Sequence, residues 1–329
     1  MPTFQTIVLS ENDANQTLEK FLKKLLPNAA LGLIYSLVRK KRVRVDGKPA
    51  PDKKLRLEPG MTVDIALPDT DYAELRRTEP KKLSTRSDAR LDKRWIVYED
   101  GGMLVVNKPA GIAVHPGDHK STEASLIELV QDYCAEAKRS SLTFRPSLAH
   151  RIDRETSGIV VIAKTKPVLD KLTKAFRDRT MSKKYLAVTV AAPNPAAGTI
   201  DERLSRSDSA SGAKMHADED GQIARTRYRT IATDIQGRYA LVECKPETGR
   251  MHQIRAHLAS IGCPILGDTR YGRVSENGYA KRQFGISRHM LHAAELSFLH
   301  PTKNIPVTYR ARMWDDMQRL VDVPATLSA

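Results

Sequence analysis

An aspartate lies between two arginines at residues 151–154, immediately before an apolar run. The run at residues 159–163 is rich in β-branched side chains and is bounded by Gly158 and Lys164, which predicts a buried strand. Asp153 would then lie on the loop that leads into that strand. Flanking cations favour the ionised form of a carboxylate, so Asp153 could act as a base, a nucleophile or an electrostatic stabiliser. A surface ion-pair cluster is the alternative, because such clusters are common and energetically weak.

The residues around Asp153 favour the chemical interpretation. Residues 150–158 read His-Arg-Ile-Asp-Arg-Glu-Thr-Ser-Gly, and this block resembles the catalytic signature of the RluA-type pseudouridine synthases, usually written with Leu where this chain has Ile152. An apolar swap of similar volume costs little. Further blocks resemble the same family in the same order: Asn107-Lys108-Pro109-Ala110-Gly111, Val114-His115-Pro116-Gly117, Lys184-Tyr185-Leu186-Ala187, Thr248-Gly249-Arg250-Met251-His252-Gln253-Ile254-Arg255, Gly267-Asp268-Thr269-Arg270-Tyr271-Gly272 and Leu291-His292-Ala293.

The resemblance implies isomerisation of uridine to pseudouridine in RNA, with the target base flipped out of its helix. It implies that Asp153 is the essential carboxylate, that Tyr185 packs against the target base, and that Arg151 enters the RNA where that base had been. Arg250 follows Thr248-Gly249 at an expected helix start, where the macrodipole disfavours a cation, so we expect it to pair with Asp153. The remaining expected substrate-binding residues lie in the same motifs: His150, Arg154, Thr156, Lys184, Gln253 and Arg255.

The composition indicates a polyanionic partner. The chain has 329 residues and a net charge of +15, from 54 Lys and Arg against 39 Asp and Glu. Such a charge favours RNA, and release of counterions would make the binding salt-dependent. No run approaches a membrane span and the first residues do not form a signal peptide, so we expect a cytoplasmic monomer.

Neither a metal nor a cofactor is expected. The three cysteines have no Cys-x-x-Cys spacing, and the histidine pairs His252/His257 and His289/His292 do not join them in a zinc pattern. We therefore expect reduced thiols, and histidines that are structural or face RNA. A P-loop and a Gly-x-Gly-x-x-Gly fingerprint are both absent from the sequence.

The first 68 residues have a pattern of their own. Leu18, Phe21, Leu22 and Leu25 mark one short helix, a second follows around Ile34 to Val38, and alternating residues then predict a hairpin through Asp46-Gly47. This segment resembles the S4 RNA-binding domain. Nine Lys or Arg and two Asp or Glu lie between residues 28 and 56. The expected RNA contacts are Tyr35, Arg39, Lys40, Lys41, Arg42 and Arg44.

We predict an α+β fold with four segments: an S4-like α/β domain at residues 1–68, a polar linker at 69–94, a catalytic domain at 95–320 and a tail at 321–329. Strands and helices do not alternate regularly after residue 95, so the catalytic sheet should be mixed and mainly antiparallel. The resemblance implies a central cleft in it. The polar linker suggests that the two domains move relative to each other.

Three other functions compete with modification of bacterial 23S ribosomal RNA. A pseudouridine synthase could act on tRNA instead. A non-catalytic RNA-binding or ribosome-assembly protein would need only the basic patches, although Asp153, Tyr185 and Arg250 argue against it. The third is an RNA enzyme of different chemistry, such as a methyltransferase or a glycosylase; a methyltransferase would show a Gly-rich cofactor loop after its first strand, which this sequence lacks.

Overall fold

A computed structural model describes residues 4–76, 90–116, 123–136, 141–208, 214–234 and 237–320. The expected C-terminal tail at 321–329 and half of the expected linker, residues 77–89, lie outside these residues. Within the described ranges, no helix combines the length and the apolar character needed to cross a bilayer. The same ranges contain no group of three or more residues suited to hold a metal ion. Cys134, Cys244 and Cys263 are free thiols.

The N-terminal unit is a four-stranded sheet covered by two helices. Its strands are β1 (Phe4–Val8), β2 (Gln16–Thr17), β3 (Val43–Val45), β4 (Lys48–Pro49), β5 (Arg56–Leu57) and β6 (Thr62–Ala66), of which β2 and β5 form a separate pair. Its first helices are α1 (Leu18–Leu25) and α2 (Leu31–Arg39). The apolar residues predicted for the inner face of α1 are all buried, so their helical spacing predicted this helix correctly.

The predicted linker begins as a helix. Residues of α3 (Asp69–Arg76) form two turns, and Tyr72 and Leu75 pack against the N-terminal core although no residue of α3 is buried. The helix was not predicted because its composition is polar and only a narrow face of it, with Tyr72 and Leu75, contacts the core. The N-terminal unit therefore extends at least to Arg76.

The larger unit is built on an 11-stranded sheet. Its strands are β7 (Ile96–Glu99), β8 (Met103–Lys108), β9 (Ser147–Leu148), β10 (Ser157–Ala163), β11 (Ser182–Val190), β12 (Ala197–Ser207), β13 (Lys214–Ala217), β14 (Gln222–Thr233), β15 (Tyr239–Pro246), β16 (Leu291–Leu299) and β17 (Pro306–Arg310). Its helices are α4 (Leu126–Glu136), α5 (Lys166–Arg177), α6 (Gln253–Ser260), α7 (Val274–Phe284) and α8 (Asp315–Gln318). The prediction of a mixed, mainly antiparallel sheet is confirmed.

One short parallel pairing joins the two halves of this sheet. Strand β10 pairs with β16 only through Ser157 and Gly158, opposite His292 and Ala293. Gly158 has a φ of +111°, and a Cβ atom there would lie 2.2 Å from the carbonyl oxygen of Ala293. Only glycine can occupy this junction. The loop that carries Asp153 enters the sheet directly before it.

Candidate active site

The loop of Asp153 is held from below by a buried lysine. Lys108, at the end of β8, is fully buried, and its Nζ donates to the carbonyl oxygens of Pro109, Ile112 and Arg154 at 2.8–2.9 Å. An ammonium group has three donors, and the three carbonyls use all of them. Lys108 thus connects its own segment to the Asp153 loop through the carbonyl of Arg154, the residue that follows Asp153.

Residues just before and within β16 hold the other end of this loop, at residues 155–157. His289 hydrogen-bonds the Thr156 hydroxyl at 2.8 Å, and Arg288 donates to the carbonyl of Glu155 at 3.2 Å. Burial lowers the pKa of His289 to about 3, so the ring is neutral at pH 7. His292 hydrogen-bonds Ser157 at 2.9 Å in the same way. The expectation that these histidines are structural agrees with their contacts.

A cleft of about 570 Å³ opens above Asp153. Its floor includes Asp153, Tyr185 and Arg255, and basic side chains line its walls: Arg151, Arg177, Arg179, Lys183 and Arg250. Tyr185 reaches the cleft from β11, where the alternation of a strand puts Lys183 on the same face. Burial raises the pKa of Tyr185, so its phenol is un-ionised near Asp153.

The partner of Asp153 is Arg255, not Arg250. Arg255 Nη1 donates to Asp153 Oδ2 at 2.9 Å, whereas Arg250 Nε donates to the backbone oxygen of Ile223. The prediction that Arg250 pairs with Asp153 is wrong because α6 begins only at Gln253. Arg250 lies in the turn before the helix, at the wall of the cleft, and Arg255 occupies the first turn of α6 and points inward.

Asp268 anchors the far side of the same guanidinium. Arg255 Nε and Nη2 donate to the two oxygens of Asp268 at 2.7 and 3.0 Å, and Asp268 also accepts the backbone N–H groups of Arg270 and Tyr271. Burial disfavours ionisation of Asp268, but the hydrogen bonds and charge of Arg255 outweigh it and hold the pKa of Asp268 below its usual value. One guanidinium therefore bridges two carboxylates.

A neutral histidine completes the surroundings of Asp153. His252 Nε2 lies 3.8 Å from Asp153 Oδ2, and its Nδ1 is 3.2 Å from the hydroxyl of Tyr271. Burial lowers the pKa of His252 to about 4 despite the nearby carboxylate. The positive charge next to Asp153 at pH 7 accordingly comes from Arg255.

Three residues expected to bind substrate have other structural contacts. His150 accepts the backbone N–H of Val161 at 3.0 Å and stacks on Phe176, so it supports the cleft wall. Arg154 pairs with Glu123 at 3.1 Å, away from the residues that line the cleft. Lys184 points to the opposite face of β11 and lies 3.5–3.7 Å from Glu295 and Glu243. Arg154 and Lys184 do not line the cleft, and their roles in substrate binding stay predictions.

Three other expected residues do line the cleft. Arg151 is exposed at its rim, and Thr156 is buried beside Asp153. Gln253 also lines it, but its amide is used by the protein: its oxygen accepts from Thr248 and Arg250, and its nitrogen donates to Arg225 and Thr226. Gln253 therefore positions the turn before α6. Lys183 and Asp268 were not predicted as site residues, and His252 was expected only to be structural or to face RNA, although all three lie within or beside the quoted blocks.

The six residues expected to bind RNA in the N-terminal unit fall into two groups. Arg39, Lys40, Lys41, Arg42 and Arg44 are exposed. Tyr35 is half-buried, its hydroxyl donates to Glu19 at 2.9 Å, and Lys53 lies 3.6 Å from the ring centroid. Because Lys53 covers one face of its ring, Tyr35 serves the packing of its own unit.

A family model, curated relatives and a solved structure point to the same family. Residues 102–260 match the family model described as RNA pseudouridylate synthase. The chain is 36% identical over 330 residues to the ribosomal large subunit pseudouridine synthase D of Zymomonas mobilis, with 97% of each chain covered. It is 35% identical to the ribosomal large subunit pseudouridine synthase C of Vibrio cholerae, covering 90% of this chain and 89% of that one.

A solved structure has the same catalytic fold. The human RNA pseudouridylate synthase domain containing 4 protein superposes with a TM-score of 0.56 at 27% identity, over 70% of this chain and 95% of its own.

An uncharacterized RNA pseudouridine synthase of Bacillus subtilis, YlyB, is 30% identical over 96% of both chains. The similarities to the three bacterial relatives extend over the N-terminal unit as well as the larger one.

Proposed function

Because this chain belongs to the RNA pseudouridylate synthase family and isomerises uridine to pseudouridine in RNA, we propose that its substrate is bacterial large-subunit (23S) ribosomal RNA. The observation that carries the proposed mechanism is the line of contacts from Asp153 through Arg255 to Asp268 at the floor of a basic-walled cleft. Relatives named for the large ribosomal subunit favour this RNA.

Asp153 is the essential carboxylate in this proposal. Arg255 donates a hydrogen bond to it and holds it at the cleft floor, while the neutral phenol of Tyr185 offers a flat apolar surface for the uracil ring. The basic side chains on the cleft walls suit the phosphates on either side of the target nucleotide. Arg151, exposed at the rim, is placed to stack in the gap that the flipped base leaves.

The N-terminal unit is proposed to be an S4-like RNA-binding domain that ends near Arg76. Its two helices and hairpin carry five exposed basic residues on the segment from α2 to β3: Arg39, Lys40, Lys41, Arg42 and Arg44. A surface of this kind fits a phosphate backbone. The enzyme is proposed to act as a cytoplasmic monomer, and light scattering of the purified protein tests the monomer.

The experiment compares Asp153→Asn with Asp178→Asn. Asp178 is a carboxylate at the end of α5 that pairs with surface cations, so both variants lose one charge and little volume. Release of tritium from 5-tritiated uridine reports the C5–H bond that breaks as C5 joins C1′. We expect less than 1% of the wild-type rate for Asp153→Asn and a normal rate for Asp178→Asn. Substantial activity in pure Asp153→Asn would refute its role.

The RNA target is tested in cells that lack the gene. Pseudouridines of 23S ribosomal RNA and of tRNA are mapped by chemical reactivity, with the gene absent and with wild-type or Asp153→Asn protein restored. We expect specific 23S positions to disappear and to return only with the wild-type protein. Loss confined to tRNA would replace the ribosomal target by the tRNA alternative.

A further inference from the structure

A second large groove, of about 1170 Å³, lies between the N-terminal unit and the catalytic unit. Lys24 and Pro27, at the end of α1, and Arg76 of α3 form one wall. Lys164 and Lys166 belong to the other wall, near the start of α5. We call this space the interdomain groove. It shares none of its lining residues with the cleft of Asp153.

A buried aspartate fixes the relative position of the two walls. Asp13 of the N-terminal unit is 3% exposed, and its Oδ1 accepts hydrogen bonds from Ser141, Leu142 and Thr143 of the catalytic unit at 2.7–3.1 Å. Its Oδ2 accepts from Ser10 at 2.6 Å. Burial works against ionisation, but these bonds hold the pKa of Asp13 below its usual value. A buried carboxylate held by so many donors is costly to extract.

Two further bonds connect the same surfaces. The backbone N–H of Lys166, the first residue of α5, donates to Asn12 Oδ1 at 3.0 Å. Gln16 Nε2 donates to the hydroxyl of Thr143 at 3.3 Å. The sequence suggests that the two domains move relative to each other, whereas these contacts dock the N-terminal unit on the catalytic unit.

Docking brings cations together across the groove. Partial burial lowers the pKa of Lys24 and the neighbouring charges of Lys166 and Lys20 lower it further, whereas the carboxylate of Asp13 acts in the opposite direction and offsets only part of this. Lys166 also pairs with Asp170 on its own helix. A like-charged pair held at a domain boundary is unfavourable until an anion lies between its members. The phosphate of a nucleic acid is the anion that this basic chain encounters.

We propose that the interdomain groove is a second RNA-binding site, which takes the phosphate backbone of the RNA whose uridine enters the cleft, and that Asp13 sets its width. This inference rests on the proposed function. Helix α5 connects the two sites, because Lys166 and Leu169 line the groove while Phe176 and Arg177 line the cleft. With 12 residues, α5 spans about 18 Å. An RNA held at both sites would follow this helix.

The first experiment removes the groove cations. The double variant Lys24→Gln/Lys166→Gln is compared with Lys23→Gln/Lys174→Gln, which removes one paired lysine from each of the same two helices, outside the groove. Binding is measured against salt for a hairpin too short to extend beyond the cleft and for a long 23S fragment. We expect about a tenfold loss with the long RNA and a salt slope reduced by about one to two for the groove variant.

The comparison of the two RNAs decides the proposal. We expect less than a twofold effect of the groove variant on the short hairpin, and less than twofold for the control variant on both RNAs. Equal losses for both RNAs, or equal losses for both variants, would overturn the groove as a specific site. Pseudouridine formed by the wild-type protein is measured separately, so failure of the proposed function is seen independently of the binding slopes.

The second experiment releases the docking contact. Asp13→Ala is compared with Asp64→Asn, which changes a carboxylate that accepts from the Thr6 hydroxyl within the N-terminal unit. Small-angle scattering should show a broader particle for Asp13→Ala, and KM for the long RNA should rise about fivefold with a smaller change in kcat. Ser141→Ala/Thr143→Val removes the two hydroxyl donors of Asp13 from the catalytic side, where the N-terminal core is untouched, and leaves the two backbone donors in place. Unchanged scattering and KM in both would refute the role of Asp13.

Discussion

Replacement of Arg255 should damage stability and catalysis together. Arg255 is 5% exposed, and it is bonded to Asp153 and, through two further hydrogen bonds, to Asp268, which is 0% exposed. Removing one member of a buried ion pair costs about 3 to 5 kcal/mol, because the remaining charge is left without a partner. For a domain of this size, each kcal/mol lowers Tm by about 2 to 4 °C. We expect Arg255→Met to melt about 10 °C lower and to lose nearly all activity.

Arg250→Met is the matched control. Arg250 is half-buried in the cleft wall and donates to a backbone oxygen, so its removal leaves no buried charge behind. We expect a cost near 1 kcal/mol. Its effect on activity should appear mainly in KM, since it faces the RNA rather than Asp153. Calorimetry and single-turnover tritium release measure both variants.

A double variant separates the two consequences of losing Arg255. Arg255→Met/Asp268→Asn removes both members of the buried Arg255–Asp268 pair. The carboxylate of Asp268 is then no longer left without a partner, so much of the stability should return. Activity should not return, because Asp153 still lacks its guanidinium. If Arg255→Met melts within 2 °C of the wild type, or if Arg250→Met is the more damaging variant, the assignment of Arg255 as the partner of Asp153 is wrong.

Three further changes test other parts of the site. Gly158→Ala forces a Cβ against the Ala293 carbonyl and should cost about 3 kcal/mol in chemical denaturation, against about 1 for Gly262→Ala, where no atom lies within 4 Å. Burial lowers the pKa of Lys183 to about 8, so its charge is lost as pH rises through 8; KM for RNA should rise there in the wild type and stay flat in Lys183→Gln. Lys108→Met should speed hydrogen exchange of the loop around Asp153 and lower Tm, whereas unchanged exchange would mean that its three carbonyl bonds do not hold the loop.

The sequence predicted the fold best where runs of apolar residues could only be buried. The apolar positions of α1 and the β-branched run of β10 had to be buried, and their periods fixed a helix and a strand. The long strand β12, its short partner β13 and the helix α7 were not predicted. Their exposed faces are polar, and their pairing is set by neighbours far along the chain.

The motifs located the site but did not give its internal geometry. Asp153, Tyr185 and both arginines were placed in the right cleft by resemblance. Which arginine meets Asp153 depended on where α6 starts, and helix boundaries are uncertain by several residues in a sequence. The roles of Asp268 and Lys183 required tertiary contacts: Asp268 reaches Arg255 from a turn 13 residues later.

The parallel junction between β10 and β16 has a consequence for the time at which the enzyme becomes active. The strands meet through residues separated by 135 positions, as do the hydroxyl of Ser157 and the ring of His292. Contacts of such long range form late in folding, after the local hairpins. A nascent chain still missing β16 has no closed sheet and therefore no assembled cleft. Pseudouridine formation consequently has to wait until β16 has been synthesised and has left the exit tunnel.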